Sequence, residues 1–176
     1  MHHIDEGEIR GWFTGRIPED WFNGPVTITT DREEILVVGE LADVKVAKGA
    51  SDAEQATARD SRTDAFREDT RGTRMEIADD AEHRFGRKVA WGVTIGGVNQ
   101  TFTTLSVPVM TRLRMRERNV LDTLVDAGVA RSRSDALAWC VRLVGDNQGD
   151  WIEALRGALS GVESVRAGGP KPSRHN

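Results

Sequence analysis

The chain has 176 residues, 38% of them hydrophobic and 30% charged, with a formal net charge of −4. This length allows one sizeable core or two small ones, no apolar run approaches the roughly 18 residues of a membrane span, and the acidic first twenty residues lack the apolar stretch of a secretory signal. A single cysteine, Cys140, excludes an internal disulfide, so the expected compartment is the reducing cytoplasm.

The N-terminal stretch GWFTGRIPEDWFNG contains the pair Trp-Phe twice, at Trp12-Phe13 and Trp21-Phe22. Four large aromatics among Gly and Pro predict a loop-rich plug packed on an apolar surface. Next, VTITTDREEILVVGEL places two β-rich runs around the polar turn Asp31-Arg32-Glu33-Glu34, the pattern of a β-hairpin. Plug and hairpin make a first module of residues 1–42. Residues 43–60 are rich in Ala, Asp and Lys and hold little to bury, so a flexible linker is expected there. Ser61 then opens a helix, with Asp64 as its capping partner. Phe66, Thr70, Thr73, Ile77, Ala81 and Phe85 recur every three or four residues along one face of it, and Gly86 ends it. KVAWGVTIGG and VNQTFTTLSVPV follow as two strands around Gly96-Gly97, completing a module of residues 61–108.

The C-terminal third differs in kind. Val120, Leu121, Leu124 and Val125 form one helical stripe, and Ala136, Leu137, Cys140, Val141 and Val144 a second. Ile152, Leu155, Leu159 and Val162 form a third, behind Asp150 as the expected N-cap. Residues 168–176 are expected to be disordered. Charge divides the same way. Residues 1–88 hold 13 Lys/Arg against 20 Asp/Glu, whereas residues 89–176 hold 11 against 8. A local basic patch can bind an anion on a net acidic protein, because salt screens charges beyond roughly 8–10 Å.

Between the first two stripes lies DAGVARSRSDAL, residues 126–137. Gly128 suits the left-handed position that ends a helix, with Val129 folding back on the stripe before it. Ser132, with Asp135 three residues later, fits a capping box, and Ser134 is the competing N-cap. The two helices hold too few apolar side chains for a core of their own, so they must pack on the rest of the chain or on a second copy. Upstream, VMTRL alternates: Val109, Thr111 and Leu113 share one face, and Met110, Arg112 and Arg114 the other.

Taken together, residues 109–144 resemble the ribbon-helix-helix family of DNA-binding proteins. The likeness lies in the short alternating strand, the first helix with Leu-Asp-x-Leu-Val-x-x-Gly, and the Ser-x-Ser-Asp-Ala opening of the second. The resemblance implies a homodimer in which one strand from each copy pairs antiparallel into a ribbon that enters the major groove of double-stranded DNA. By position, Met110, Arg112 and Arg114 would read bases, and Arg131, Ser132, Arg133 and Ser134 would hold a phosphate. Two physical arguments agree: Arg reads the guanine edge in bidentate fashion, and helix N-termini bind anions through unpaired amides. The chain departs from the family in having Arg114 where Pro is common, a preceding Pro108, and an added helix after Trp151. The expected fold class is α+β: a small N-terminal module of hairpin, linker, long helix and hairpin, then a ribbon-helix-helix-like domain (residues 109–167) with one extra helix. The expected role is transcriptional regulation, with an effector or partner protein acting through the N-terminal module.

Other residue types give no catalytic constellation. Cys140 lies beside Leu137 and Val141 and reads as a small buried hydrophobe. His2, His3 and His175 sit near the termini, and His83 lies on a polar helix face. No His, Cys and carboxylate set has metal-ligand spacing, and no nucleophile sits beside a base. The cluster Asp79, Asp80 and Glu82 reads as a solvated face, and Trp139 and Trp151 as core or dimer-interface residues. The expectation is therefore a non-enzymatic protein without cofactor, metal or membrane contact. The alternative is a protein-interaction or dimerisation module that does not touch DNA.

Overall fold

The computed structural model describes residues 6–167. The expectations for His2, His3, His175 and the disordered tail lie outside these residues. The chain divides into two compact units, Met1–Val109 and Met110–Asn176, each described by itself. The class is α+β: a four-stranded sheet in the first unit and, among the described residues, helices alone in the second.

The first unit runs α1 (Glu6–Arg16), β1 (Thr27–Thr30), β2 (Glu34–Glu40), α2 (Asp52–Asp69), α3 (Arg71–Phe85), β3 (Lys88–Ile95) and β4 (Val98–Thr101). The strands lie in the order β1-β2-β3-β4, antiparallel at both edges and parallel between β2 and β3. Parallel neighbours require a long crossover, and α2 and α3 supply it. Burial on both sides suits β3, whose residues from Ala90 to Val93 are all buried. Its partner β2 alternates, with Ile35 and Val37 fully buried between half-buried neighbours. The β1–β2 turn is closed by the Asp31 carboxylate, which accepts the amides of Glu33 at 2.8 Å and Glu34 at 2.7 Å. These donors hold the Asp31 carboxyl below its ordinary value. Gly96 and Gly97, at φ 56° and 80°, make the β3–β4 turn, where two successive positive φ values favour glycine.

Several expectations need correction. The aromatic plug is half helical, since α1 carries Trp12 and Phe13. Ile9 and Phe13, one turn apart, are fully buried against the sheet, and this packing outweighs the helix cost of Gly11 and Gly15. Both Trp-Phe pairs do pack inward. Trp12 meets Phe85 and Phe13 meets Trp91, while Trp21 and Phe22 meet Phe66. The linker is not flexible over residues 52–60, where α2 has already begun. Ser51 caps it by accepting the Glu54 amide at 3.2 Å, and alanine-rich sequence favours the helix without needing an apolar face. Residues 43–51 are irregular yet pinned, because Arg59 grips Asp43 with two hydrogen bonds of 2.9 and 2.7 Å and Val44 packs below.

The single long helix is two helices, broken at Thr70. Thr70 and Arg74 are buried there, whereas Thr73, assigned to the inner face, is exposed. Arg74 donates to the Thr70 hydroxyl at 2.9 Å and to the Arg67 carbonyl at 2.6 Å, and its guanidinium lies 4.8 Å from the Phe102 ring centre. Burial lowers its pKa. Gly86, at φ 66°, ends α3 as expected. The second hairpin strand stops at Thr101 rather than continuing to Val109. Asp79, Asp80 and Glu82 lie outside the core, with Asp80 paired to Arg16 and Glu82 to Lys88.

In the second unit, α4 (Met115–Asp126), α5 (Arg133–Asn147) and α6 (Gly149–Ala167) follow one another. Asp150 sits inside the first turn of α6 and is not its cap, because Gln148 alone separates α5 from α6. Leu121, Ala130 and Ala136 are buried, with Leu113, Leu124, Val125, Leu137 and Cys140 packed around them. Trp139 is half-buried and Trp151 is 60% exposed. Among the described residues no helix is long and apolar enough to cross a membrane.

A Cβ placed on Gly39 would lie 2.3–2.4 Å from the Phe22 ring, which rests flat on that strand position. Gly39→Ala is therefore expected to destabilise the first unit by about 1–3 kcal/mol. The measurement is the urea midpoint. An unchanged midpoint would mean that Phe22 leaves the strand without cost.

Candidate nucleic-acid interface

The corner between α4 and α5 is built from backbone hydrogen bonds that its sequence prescribes. Gly128 takes φ 74°. Its amide donates to Val125 O at 3.0 Å, and the Val129 amide donates to Leu124 O at 2.9 Å, the paired bonds of a Schellman end. Val129 remains half exposed, however. Ala130, one residue on, turns inward and is 6% exposed. Ser132 is the N-cap of α5, its hydroxyl accepting the Asp135 amide at 3.2 Å, so Ser134 lies within the helix. Asp135 returns the favour by accepting the Arg131 amide at 3.0 Å. That bond, with the nearby Arg131 charge, lowers the Asp135 pKa.

The four corner residues expected to hold a phosphate meet here, but they are not equivalent. The Arg131 side chain is 95% exposed, with its Nε 3.6 Å from Asp135. Arg133 is already engaged: Nε and Nη2 donate to the two oxygens of Asp122 on α4 at 2.6 and 2.8 Å. This bidentate pair lowers the Asp122 pKa and raises that of Arg133. The Arg133 side chain is thus a strut between the helices, because a carboxylate of its own chain takes the fork a phosphate would use. The amides of Arg133 and Ser134, in the first turn of α5, have no acceptor within the helix.

Met110, Arg112 and Arg114 precede α4 on a segment without regular secondary structure. Residues 103–114 belong to neither a strand nor a helix, so the alternating strand expected at 109–113 is not formed within the single chain. The alternation is partly present. Leu113 turns into the α4–α5 core, while Met110 is 96% exposed and Arg112 and Arg114 are exposed beside it. Val109 and Thr111, assigned to the inner face with Leu113, are both exposed, Val109 at 85%. Arg114 is the extended N-cap residue of α4, and Arg118 reaches back to the Leu113 carbonyl at 2.8 Å. Sequence reasoning missed the Arg133–Asp122 pair, which carries no local signal because its two residues lie eleven positions apart across the corner.

The two units correspond to two family models. The model described as the Rv1265-like protein N-terminal domain matches residues 7–101, more than half of the chain. The model described as the Mb1296 C-terminal domain matches residues 114–166. This chain belongs to the Rv1265-like family. It is 56% identical over 160 residues to the uncharacterized proteins Rv1265 of Mycobacterium tuberculosis and Mb1296 of Mycobacterium bovis. Each alignment covers 90% of this chain and 69% of the relative. No solved structure matches the chain. The two family models leave residues 102–113, which include Met110 and Arg112, between them.

The Arg133–Asp122 pair makes a pH prediction. A carboxyl with a lowered folded-state pKa stabilises the fold above its unfolded pKa, and that stability is lost as pH falls through the folded value. Asp122→Asn should therefore weaken the second unit near neutral pH and weaken its further loss in acid. The helical signal followed from pH 7 to pH 2 reports both. An acid profile identical to the parent's would show that the pair adds nothing.

Proposed function

We propose that this protein is a non-enzymatic, dimeric DNA-binding regulator that docks a two-stranded ribbon into the major groove. The observation that carries this reading is the state of residues 103–114. They form no strand within their own chain, are anchored at Leu113, and present Met110, Arg112 and Arg114 to solvent. A second copy of the segment would satisfy its free backbone groups by antiparallel pairing, turning those three side chains to one face. The corner adds an anion site at the start of α5. Its donors are the amides of Arg133 and Ser134, the hydroxyls of Ser132 and Ser134, and the exposed guanidinium of Arg131. The Arg133 guanidinium is left out of that set.

A second reading, an interaction module without DNA contact, is favoured by the apolar side chains that α5 and α6 expose, among them Val141, Val144 and Leu155. Salt separates the two, because DNA affinity falls steeply with ionic strength while apolar docking does not. Fluorescence anisotropy against mixed duplex DNA at low and high salt is the test. Arg112→Ala should cost about 1–3 kcal/mol on a preferred duplex and relax its sequence preference. Arg131→Ala should weaken all duplexes alike and reduce the salt slope by about one. Salt-independent affinity, or none, would sink the proposal.

A further inference from the structure

Among the described residues of helix α6 none is buried, and its apolar side chains lie in a regular row. Trp151, Leu155, Ala158, Val162 and Val165 are spaced four, three, four and three residues apart, the seven-residue repeat of a helix that packs along another helix. None is covered. Trp151 is 60% exposed, Leu155 45%, Val162 61% and Val165 78%, with Leu159 exposed alongside. The row is also uneven in shape. Its first half carries the bulk of Trp151 and Leu155. Its second half is a shallow apolar groove lined by Ala158, Gly161, Val162 and Val165. Nothing lies within 4 Å of the Cβ position of Gly157 or Gly161.

We propose that this face binds the α6 of a second copy of the chain, the two helices running antiparallel with Ala158 meeting Ala158. Bulk and groove on one helix face select that occupant. A reversed copy sets Trp151 and Leu155 of each helix into the groove of the other, and the two-fold axis forms every contact twice. The small residues at 157, 158 and 161 let the backbones approach. Antiparallel packing also opposes the helix dipoles. Covering the row on both copies removes on the order of 1,000 Å² of surface, the size at which a specific contact holds. The contact uses none of the residues of the proposed ribbon and does not depend on it.

The test places single cysteines in the full chain carrying Cys140→Ser. Positions 151 and 165 are about 21 Å apart along the helix, so an antiparallel pair keeps each far from its own copy. Under mild oxidation Ala158→Cys should link most of the chain into dimers, while Trp151→Cys and Val165→Cys link only when mixed with each other. The Ala158→Cys link should persist when Thr111→Pro breaks the ribbon segment. In sedimentation, Leu155→Glu combined with Val162→Glu should lower the mass by one association step, with helical content retained. If that pair of changes unfolds the helix, the cysteine pattern decides. An unlinked Ala158→Cys chain would overturn the proposal and leave the face to a different partner. Self-linked Trp151→Cys would overturn the antiparallel arrangement, and a link lost with Thr111→Pro would overturn the independence of the contact. Failure of the DNA reading shows instead as absent binding in anisotropy, with the Ala158→Cys link intact.

Discussion

Among the described residues the second unit buries only Leu121, Ala130 and Ala136, and this scarcity of core governs what else the unit must do. Two of the three are alanines, which bring little apolar surface out of water when they fold. The helix pair therefore relies on directional devices: the Gly128 end of α4, the Ser132–Asp135 cap of α5, and the Arg133–Asp122 fork between them. A serine cap is worth about 1 kcal/mol and an exposed ion pair usually less. Such sums fix the angle of a corner but do not supply the stability of a domain. The remaining apolar surface, on α5, α6 and the segment before α4, stays exposed in the single chain.

The first unit solves the opposite problem, with apolar surface in plenty and a parallel strand pair to join. Once β2 and β3 run parallel, the chain between them must cross the sheet, and α2 and α3 do so over residues 52–85. Their junction holds a buried cation. Arg74 finds neutral oxygens at Thr70 and Arg67 and the face of Phe102 above it, so its charge is solvated by dipoles and a ring. Phe102 is the first residue after β4, and its amide donates to Trp91 O at 2.7 Å. Backbone and ring are both held there, so sheet order ends sharply and the irregular segment begins.

Features that depend on a few adjacent residues were legible in the sequence. Gly86, Gly128 and Ser132 end or start helices because a positive φ or a hydroxyl at one position suffices. The α+β class followed from alternation in one half of the chain and three-four spacing in the other. What was not legible depends on distant partners. Gly11 and Gly15 argued against α1, which exists because Ile9 and Phe13 find the sheet. Thr73 and Arg74 are neighbours with opposite burial, since Phe102, 28 positions later, receives the arginine and not the threonine. The corner was legible as a shape but not as a charge distribution. Arg131 and Arg133 look equivalent in the string, yet Asp122 takes one and leaves the other in solvent.

Symmetry decides what the two proposed self-contacts can build. A two-stranded antiparallel ribbon and an antiparallel α6 pair are both isologous, each with its own two-fold axis. If the axes coincide, both contacts close within one dimer, and α6 locks the ribbon that the small α4–α5 core could not hold alone. If they are distinct and meet at right angles, the ribbon makes dimers and α6 joins two of them into a closed tetramer with two DNA-facing ribbons. Two-folds that intersect at 60° or 45° close larger rings, and axes that do not intersect give an open assembly. A dimer matches one two-fold DNA element with half-sites about 10 base pairs apart, whereas a tetramer can hold two such elements on separate stretches of duplex. The placement of the α6 axis, more than any residue of the ribbon, would separate a reader of single sites from a bridge between them.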